Sequence, residues 1–323
     1  MQKPTFFHWT GLFMLALLVS CQSEQEGIPL DGNVPEDPYV VVLGIAQDAG
    51  FPQAGCEKDC CKPHWGREEG YKSPVSLGLV DPSSGRKWLI EATPDMKHQL
   101  KILASKTDYP FNHQPDGVFL THAHIGHYTG LIHFGHEVMG TKGLPVYAMP
   151  RMDTFLRENG PWSQLVDFEN IAIQRIKADS TIQLAPNLRI TPFLVPHRDE
   201  YSETVGFRIE GPKKSLLFIP DIDKWDRWER DIVEEIRKVN LAFLDATFYE
   251  NGEIPNRDMS EIPHPFVTES METFSVLSSA ERARVHFLHF NHTNPLCQYN
   301  SHAHTEVRGN GYNIAWEGQV IGL

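Results

Sequence analysis

The stretch "LTHAHIGHYTGL" (Leu120–Leu131) places three histidines within six residues, at the spacing H-x-H-x-x-H. It continues the apolar run "DGVFL", so a strand delivers the chain to the histidines and a helix, "HIGHYTGLIHFGHE", begins inside the motif. His122 and His124 alternate on an extended segment and point to one side, and the first helical turn returns His127 to it. Clustered imidazoles suit zinc, which takes nitrogen ligands at tetrahedral geometry. Gly126 stands where a carboxylate is the natural neighbour of His127, and glycine has no ligand atom.

The pattern of apolar strand followed by polar group recurs along the chain. "FLVP" leads to His197, "LLFIP" to Asp221 and "LAFL" to Asp245, while "HFLHF" contains His289 and runs on to His292. From Tyr39 onward, strand-type runs such as "YVVVLGIA", "KWLIEA", "LPVYAM" and "TVGFRIE" interleave with helical ones, "PDMKHQLKILASK", "KWDRWERDIVEEIRKV" and "HPFVTESMETFSVLSSA". This order predicts a layered α/β sandwich with functional groups on loops at strand ends. Residues 39–323 form that domain.

The segment before it is different. Lys3 precedes the apolar run "WTGLFMLALLVS" (Trp9–Ser20), which ends at Cys21. A basic start, an apolar run and a small residue read as a secretory signal over residues 1–20. The string "LLVSC" resembles a bacterial lipobox, which implies a mature protein that begins at an acylated Cys21, is exported and sits on a membrane through its lipid. Residues 21–38 are polar and read as a flexible tether. The formal net charge of −13 argues against nucleic acid as a partner and leaves a small-molecule substrate.

The ligand order, H-x-H-x-x-H, then His197, Asp221 and His289, resembles the metallo-β-lactamase superfamily. The strings "VVLGIAQDAGFPQAGCEKDCC", "THAHIGHYTGL", "FLDATFY", "HFNHTNPL" and "EVRGNGYNIAWEGQVIGL" are similar to its pyrroloquinoline quinone (PQQ) biosynthesis protein B branch. The resemblance implies a four-layer αββα sandwich with metal at the edge between the sheets. It implies one sub-site of His122, His124 and His197, a bridging and catalytic Asp221, and a second sub-site of His127 and His289. The usual H-x-H-x-D-H has its Asp at Gly126 here, so the second sub-site is expected to be depleted. His264 and His292 are candidates to fill the vacancy, with His302 and His304 either folding back to it or lying in a solvated loop. Asp245 is expected to anchor a ligand histidine from behind. Asp48 is either a turn former or a site residue. His286 is expected to pack within its strand, His133 and His136 to lie at the surface, and Trp225 and Trp228 to fill core or wall the pocket.

A second cluster, "GCEKDCCKPH", carries Cys56, Cys60, Cys61 and His64 and reads as a structural zinc knuckle. In an oxidising compartment the same thiols pair instead, with each other or with Cys297. Two functions are compatible with these residues. A zinc-dependent hydrolase uses the metal to ionise water and polarise an ester, amide or phosphoester. A three-histidine site with an open side also suits Fe(II) and oxygen chemistry, or simple metal binding, which fits the quinone branch better. Export weighs against cofactor synthesis. Replacing Cys21 with Ser is expected to release the protein from membranes, read by fractionation and by mass spectrometry of the N-terminus. An unprocessed, membrane-free native protein would remove the anchor.

Overall fold

In the run "YVVVLG" every residue is buried, so its two faces must both be covered. A computed structural model, which describes residues 1, 34–67, 70–107 and 113–323, shows how. Cys21 and its surroundings lie outside the described residues, and no described helix is long and apolar enough to cross a membrane.

The strands are β1 (Tyr39–Gly44), β2 (Ser76–Asp81), β3 (Arg86–Ile90), β4 (Gly117–Phe119), β5 (Leu144–Ala148), β6 (Ile171–Arg175) and β7 (Ile182–Ala185), then β8 (Leu188–Leu194), β9 (Val205–Glu210), β10 (Ser215–Ile219), β11 (Leu241–Asp245), β12 (Val285–Leu288), β13 (Asn313–Ile314) and β14 (Val320–Gly322). Among the described residues they form two sheets, ordered β14-β1-β2-β3-β4-β5-β6 and β13-β12-β11-β10-β9-β8-β7. Both are mixed. The runs β3 to β6 and β10 to β13 are parallel, and the remaining pairs are antiparallel.

The helices are α1 (Met96–Ser105), α2 (Ile125–Tyr128), α3 (Pro150–Glu158), α4 (Trp162–Asp167), α5 (Ile232–Arg237), α6 (Val267–Thr273), α7 (Ser279–Arg282) and α8 (His302–Gly309). Alternation along β1 assigns the layers. Val40 and Val42 join Phe119, Phe207, Phe218 and Phe243 in the core between the sheets. Tyr39, Val41 and Leu43 face the other way and pack with Leu100 and Leu103 of α1 and Met152 of α3. Ile232 and Ile236 of α5 and Val267 of α6 cover the second sheet. The expected four-layer αββα sandwich is the fold.

The long helices expected from periodicity are shorter. The histidine motif starts a single α-turn, α2, and then tightens into a 3₁₀ stretch at Thr129–Phe134. A Cβ on Gly130 would lie 2.1 Å from the Thr93 carbonyl oxygen, so the chain there is wedged against the loop after β3 and follows its path. The charged run after Asp221 begins with a 3₁₀ turn, and α5 starts only where the Asp231 side chain accepts from Val233 N at 2.8 Å. Helices α3, α4 and α8 and strands β7 and β14 add to the elements that periodicity predicts. His302 and His304 therefore stand on a helix rather than in a loop, with the His302 side chain 94% exposed.

Candidate metal centre

Parallel strands release their C-terminal ends on one edge of the sandwich, and the site is built from residues at and just beyond those ends. After β4 come Thr121, His122 and His124, with His127 on α2. Asp221 follows β10, Asp245 ends β11 and His289 follows β12. His197, on the loop between β8 and β9, approaches from the side.

Around the first sub-site, His122 Nε2 lies 2.9 Å from His124 Nδ1, and His197 Nε2 lies 3.3 Å from the same atom. Asp221 Oδ2 is 3.3 Å from His122 Nε2, 3.2 Å from His197 Nε2 and 3.9 Å from His124 Nδ1. A tetrahedral zinc with ligands at about 2.0–2.1 Å has ligand–ligand edges of roughly 3.3 Å, so these four atoms surround a space of the right size. Two of the rings are oriented from behind. Thr121 Oγ1 holds His122 Nδ1 at 2.8 Å, and Asp223 Oδ1 holds His197 Nδ1 at 3.3 Å.

The second sub-site is not depleted. Asp48 Oδ1 lies 3.2 Å from His127 Nε2 and 3.6 Å from His289 Nε2, and Asp221 Oδ2 is 3.7 Å from His127 Nε2. The carboxylate that the motif lacks at position 126 comes from the loop after β1. A Cβ on Gly126 would sit 2.3 Å from Asp48 Cα and 2.6 Å from its Cγ. Glycine there is what admits the substitute acid. The sequence signal was the flanked Asp in "GIAQDAGFP", read as a turn or a site residue with nothing local to decide between them.

Behind His127 lies another residue that sequence reading passed over. Glu91, fully buried and at φ +80°, holds a carboxylate oxygen 3.4 Å from His127 Nδ1. Its signal was an acid ending the apolar strand "WLIEA". Asp245 accepts from Ile222 N at 3.1 Å and from Thr247 N at 2.9 Å, and Thr247 Oγ1 meets His289 Nδ1 at 2.8 Å. Asp245 thus steadies His289 through Thr247. Directly, it pairs with His264, whose Nδ1 is 2.8 Å from Asp245 Oδ2 and 3.2 Å from Asp221 Oδ1.

Among the ring atoms of the described residues that face this space, the buried His289 Nε2 has no hydrogen-bond partner, and Asp48 Oδ1 stands 3.6 Å from it. A buried nitrogen left without a hydrogen bond is costly unless something satisfies it, and a cation would. The charges agree. Burial and then repulsion from His127 hold His122 well below the usual histidine range, the neutral form that ligation needs. For His197 and His289, burial favours the neutral ring, but the Asp221 charge with Asp223 or Asp245 overrides it and raises them to about 10 and about 9. Asp221 is held well below the carboxylate range because His197, His264 and His289 outweigh the cost of its burial. The residues fit metal ions.

The cysteine cluster exists with one exchanged member. The described thiols are free. Cys56, Cys60 and Cys61 Sγ lie 3.6, 3.5 and 3.4 Å from His292 Nδ1, with Cys56–Cys60 at 4.0 Å and Cys60–Cys61 at 3.9 Å. A tetrahedral zinc bound at about 2.3 Å to sulfur and 2.0–2.1 Å to nitrogen gives edges of roughly 3.8 and 3.5 Å. His64 is not part of it: the short helical turn at Lys62–His64 carries the ring away, onto Phe51 at 4.9 Å. His292 is correspondingly not an active-site ligand. Cys297 is buried and donates to Asn291 O at 3.5 Å. His302 and His304 join neither site. His286 packs as expected, stacked on Phe243 at 4.8 Å, His136 is exposed and His133 half-buried; Trp225 and Trp228 are buried in the core, and Trp228 also walls the cleft beside His197.

Residues 86–290 match the family described as "Beta-lactamase superfamily domain". The coenzyme PQQ synthesis protein B of Xanthomonas campestris pv. campestris (strain B100) is 24% identical over 308 residues, spanning 88% of this chain and 99% of that protein. A zinc-bound PqqB from Methylobacterium extorquens superposes with a TM-score of 0.73 at 23% identity, over 88% of this chain and 100% of the other. A diphosphatase from the PhnP family does so at 0.60 and 19%, over 88% and 96%.

Two outcomes are expected. Metal binding at pH 7 is expected to displace protons from His197, His289 and His127, the last held charged, against the effect of burial, by Glu91 and Asp48. Apparent affinity therefore rises with pH, and calorimetry in buffers of different ionisation enthalpy reads the release. A proton count of zero would contradict the charge assignment. Gly126→Asp is expected to lower occupancy of the second sub-site, because its Cβ drives Asp48 out, and Asp48→Asn to weaken it by about 10-fold or more. Metal analysis after dialysis checks both. A gain of metal in Gly126→Asp would show the two acids compatible.

Proposed function

We propose a function from one premise: the chain belongs to the β-lactamase superfamily, by the match over residues 86–290. It is a metal-dependent hydrolase that cuts an ester, amide or phosphoester bond of a small molecule, exported and held at a membrane through lipid on Cys21. The observation that carries hydrolysis is the Asp245–His264 pair, 2.8 Å apart, set against the same buried Asp221 that both sub-sites share.

His122, His124, His197 and Asp221 would hold the first ion, and His127, His289, Asp48 and Asp221 the second. Zinc is the ion proposed, supported by the tetrahedral spacing and by the zinc-bound PqqB relative. Bound zinc supplies Lewis acidity, polarising the scissile group and letting water at the site ionise near neutral pH. Asp221 uses Oδ2 toward the sub-sites, and its Oδ1 orients water or accepts a proton. Asp245 accepts the Nδ1–H of His264 as a hydrogen bond and orients the ring beside Asp221, where it is proposed to serve as the general acid for the departing oxygen or nitrogen. Clefts of ≈ 480 and ≈ 420 Å³ flank the site, one lined by His197, Thr204 and Trp228, the other by Phe155, Glu200 and Tyr201. Glu200 is 3.6 Å from His124. Those volumes suit small molecules.

The relatives named for coenzyme PQQ synthesis favour a second reading, in which Fe(II) occupies the three-histidine set for oxygen chemistry. Metal-controlled expression separates the two. Zinc-loaded protein is expected to hydrolyse aryl esters or phosphodiesters, with Asp221→Asn inactive. His264→Ala should slow substrates with poor leaving groups by about 10²–10⁴ and those with good ones far less. Iron retention with oxygen uptake and no turnover of any ester, lactam or phosphodiester would overturn the hydrolase.

A further inference from the structure

We infer that the cysteine knuckle positions the second metal sub-site, so that the two metal centres bind cooperatively. This rests on reading the histidine–aspartate cluster as a metal site. Two segments leave the sheets side by side: the loop after β1 and the segment after β12. Each carries one ligand of the second sub-site and, farther along, the ligands of the knuckle. The loop after β1 supplies Asp48 and then Cys56, Cys60 and Cys61. The segment after β12 supplies His289 and, three residues on, His292. The two are zipped at their roots, with Phe290 N donating to Ile45 O and Gln47 N to Phe290 O, both at 2.9 Å.

Beyond that zip, Thr247 Oγ1 holds the His289 ring at 2.8 Å, and Phe51 and Lys72 exchange backbone hydrogen bonds at 2.8 Å past Asp48, so each ligand has one further anchor before the knuckle. The Asp48 side chain is 31% exposed, and its hydrogen-bonding and ion-pair partners are His127 and His289, the groups it ligates alongside. His289 sits at φ +67°, a left-handed backbone that a non-glycine residue keeps only when its surroundings impose it. An ion across Cys56, Cys60, Cys61 and His292 would close the far ends of both segments and add a constraint on that path. The first sub-site has no such link. His122 and His124 follow β4, and His197 follows β8, outside both segments. The knuckle therefore discriminates: it acts on Asp48 and His289 and leaves the three-histidine set alone. Because binding free energies are reciprocal, an ordered second sub-site holds the knuckle closed in turn.

The test uses the purified full chain and zinc itself. In Cys60→Ala and His292→Ala, calorimetry and metal analysis at buffered free zinc are expected to show first-sub-site affinity as in the native protein. The second ion should bind at least about 10-fold more weakly. Retained first-ion binding also reports that the variant is folded. Reciprocity supplies a variant that leaves the knuckle's own residues intact: Asp48→Asn should speed zinc loss from the knuckle, read as the rate at which its three thiols react with a chromogenic disulfide. Second-ion affinity unchanged in both knuckle variants, or an unchanged thiol rate in Asp48→Asn, would overturn the coupling. A native protein that takes up no ion at His122, His124 and His197 would instead overturn the metal-site reading beneath it.

Discussion

Everything at the site turns on one buried carboxylate. Asp221 is 3% exposed, yet its oxygens lie within 4 Å of His122, His124, His127, His197 and His264. A charge in that position is tolerable only because the surrounding groups compensate it, and removing one partner of a buried charge pair typically costs about 3–5 kcal/mol. The strand that delivers it, β10, lies at the middle of its sheet between β9 and β11, with Leu216 to Ile219 fully buried. That rigid seat lets one carboxylate serve two sub-sites and face a third pair. Ligands on mobile loops would not hold the spacing.

The second sub-site illustrates how a ligand can move along a chain without moving in space. The carboxylate beside His127 is absent from its own turn and present on a loop nearly eighty residues earlier. Removing a side chain at Gly126 and adding one at Asp48 are two halves of one change, since the Cβ of one would occupy the volume of the other. The consequence is chemical as well as geometric. Asp48 arrives on a segment tied to the cysteine knuckle, whereas an acid at position 126 would be fixed by the short helix that bears His127.

The arrangement also separates roles. The first sub-site is built from β4, the loop after β8 and β10, all deep in the fold. The second depends on segments that emerge from β1 and β12 and are clipped together outside the sheets. The Asp245–His264 pair touches both, through Asp221 on one side and Thr247 and His289 on the other. The hydrogen-bonded acid–histidine pair and the candidate metal ligands therefore share atoms.

By itself the sequence determined the fold class and pointed to most of the residues that gather at the candidate metal centre. Strand-type runs buried on both faces announce central strands, and polar residues at their ends mark the edge where a site forms; His122, His124, His127, His197, Asp221 and His289 all followed from that pattern and the family it resembles. It also located the thiols, because three cysteines in six residues have few other uses. Only the tertiary structure decided which distant groups complete each centre. His64 and His292 were equally available to the cysteines by composition, and a turn of the backbone after Cys61 removed one while the exit of β12 brought the other. Asp48 and Glu91 were legible only as acids after apolar strands, a context shared by residues with no role. Metal ligation depends on distances of a few tenths of an ångström, and local sequence fixes a residue's neighbours along the chain, not the partners that sheet packing carries to within that range.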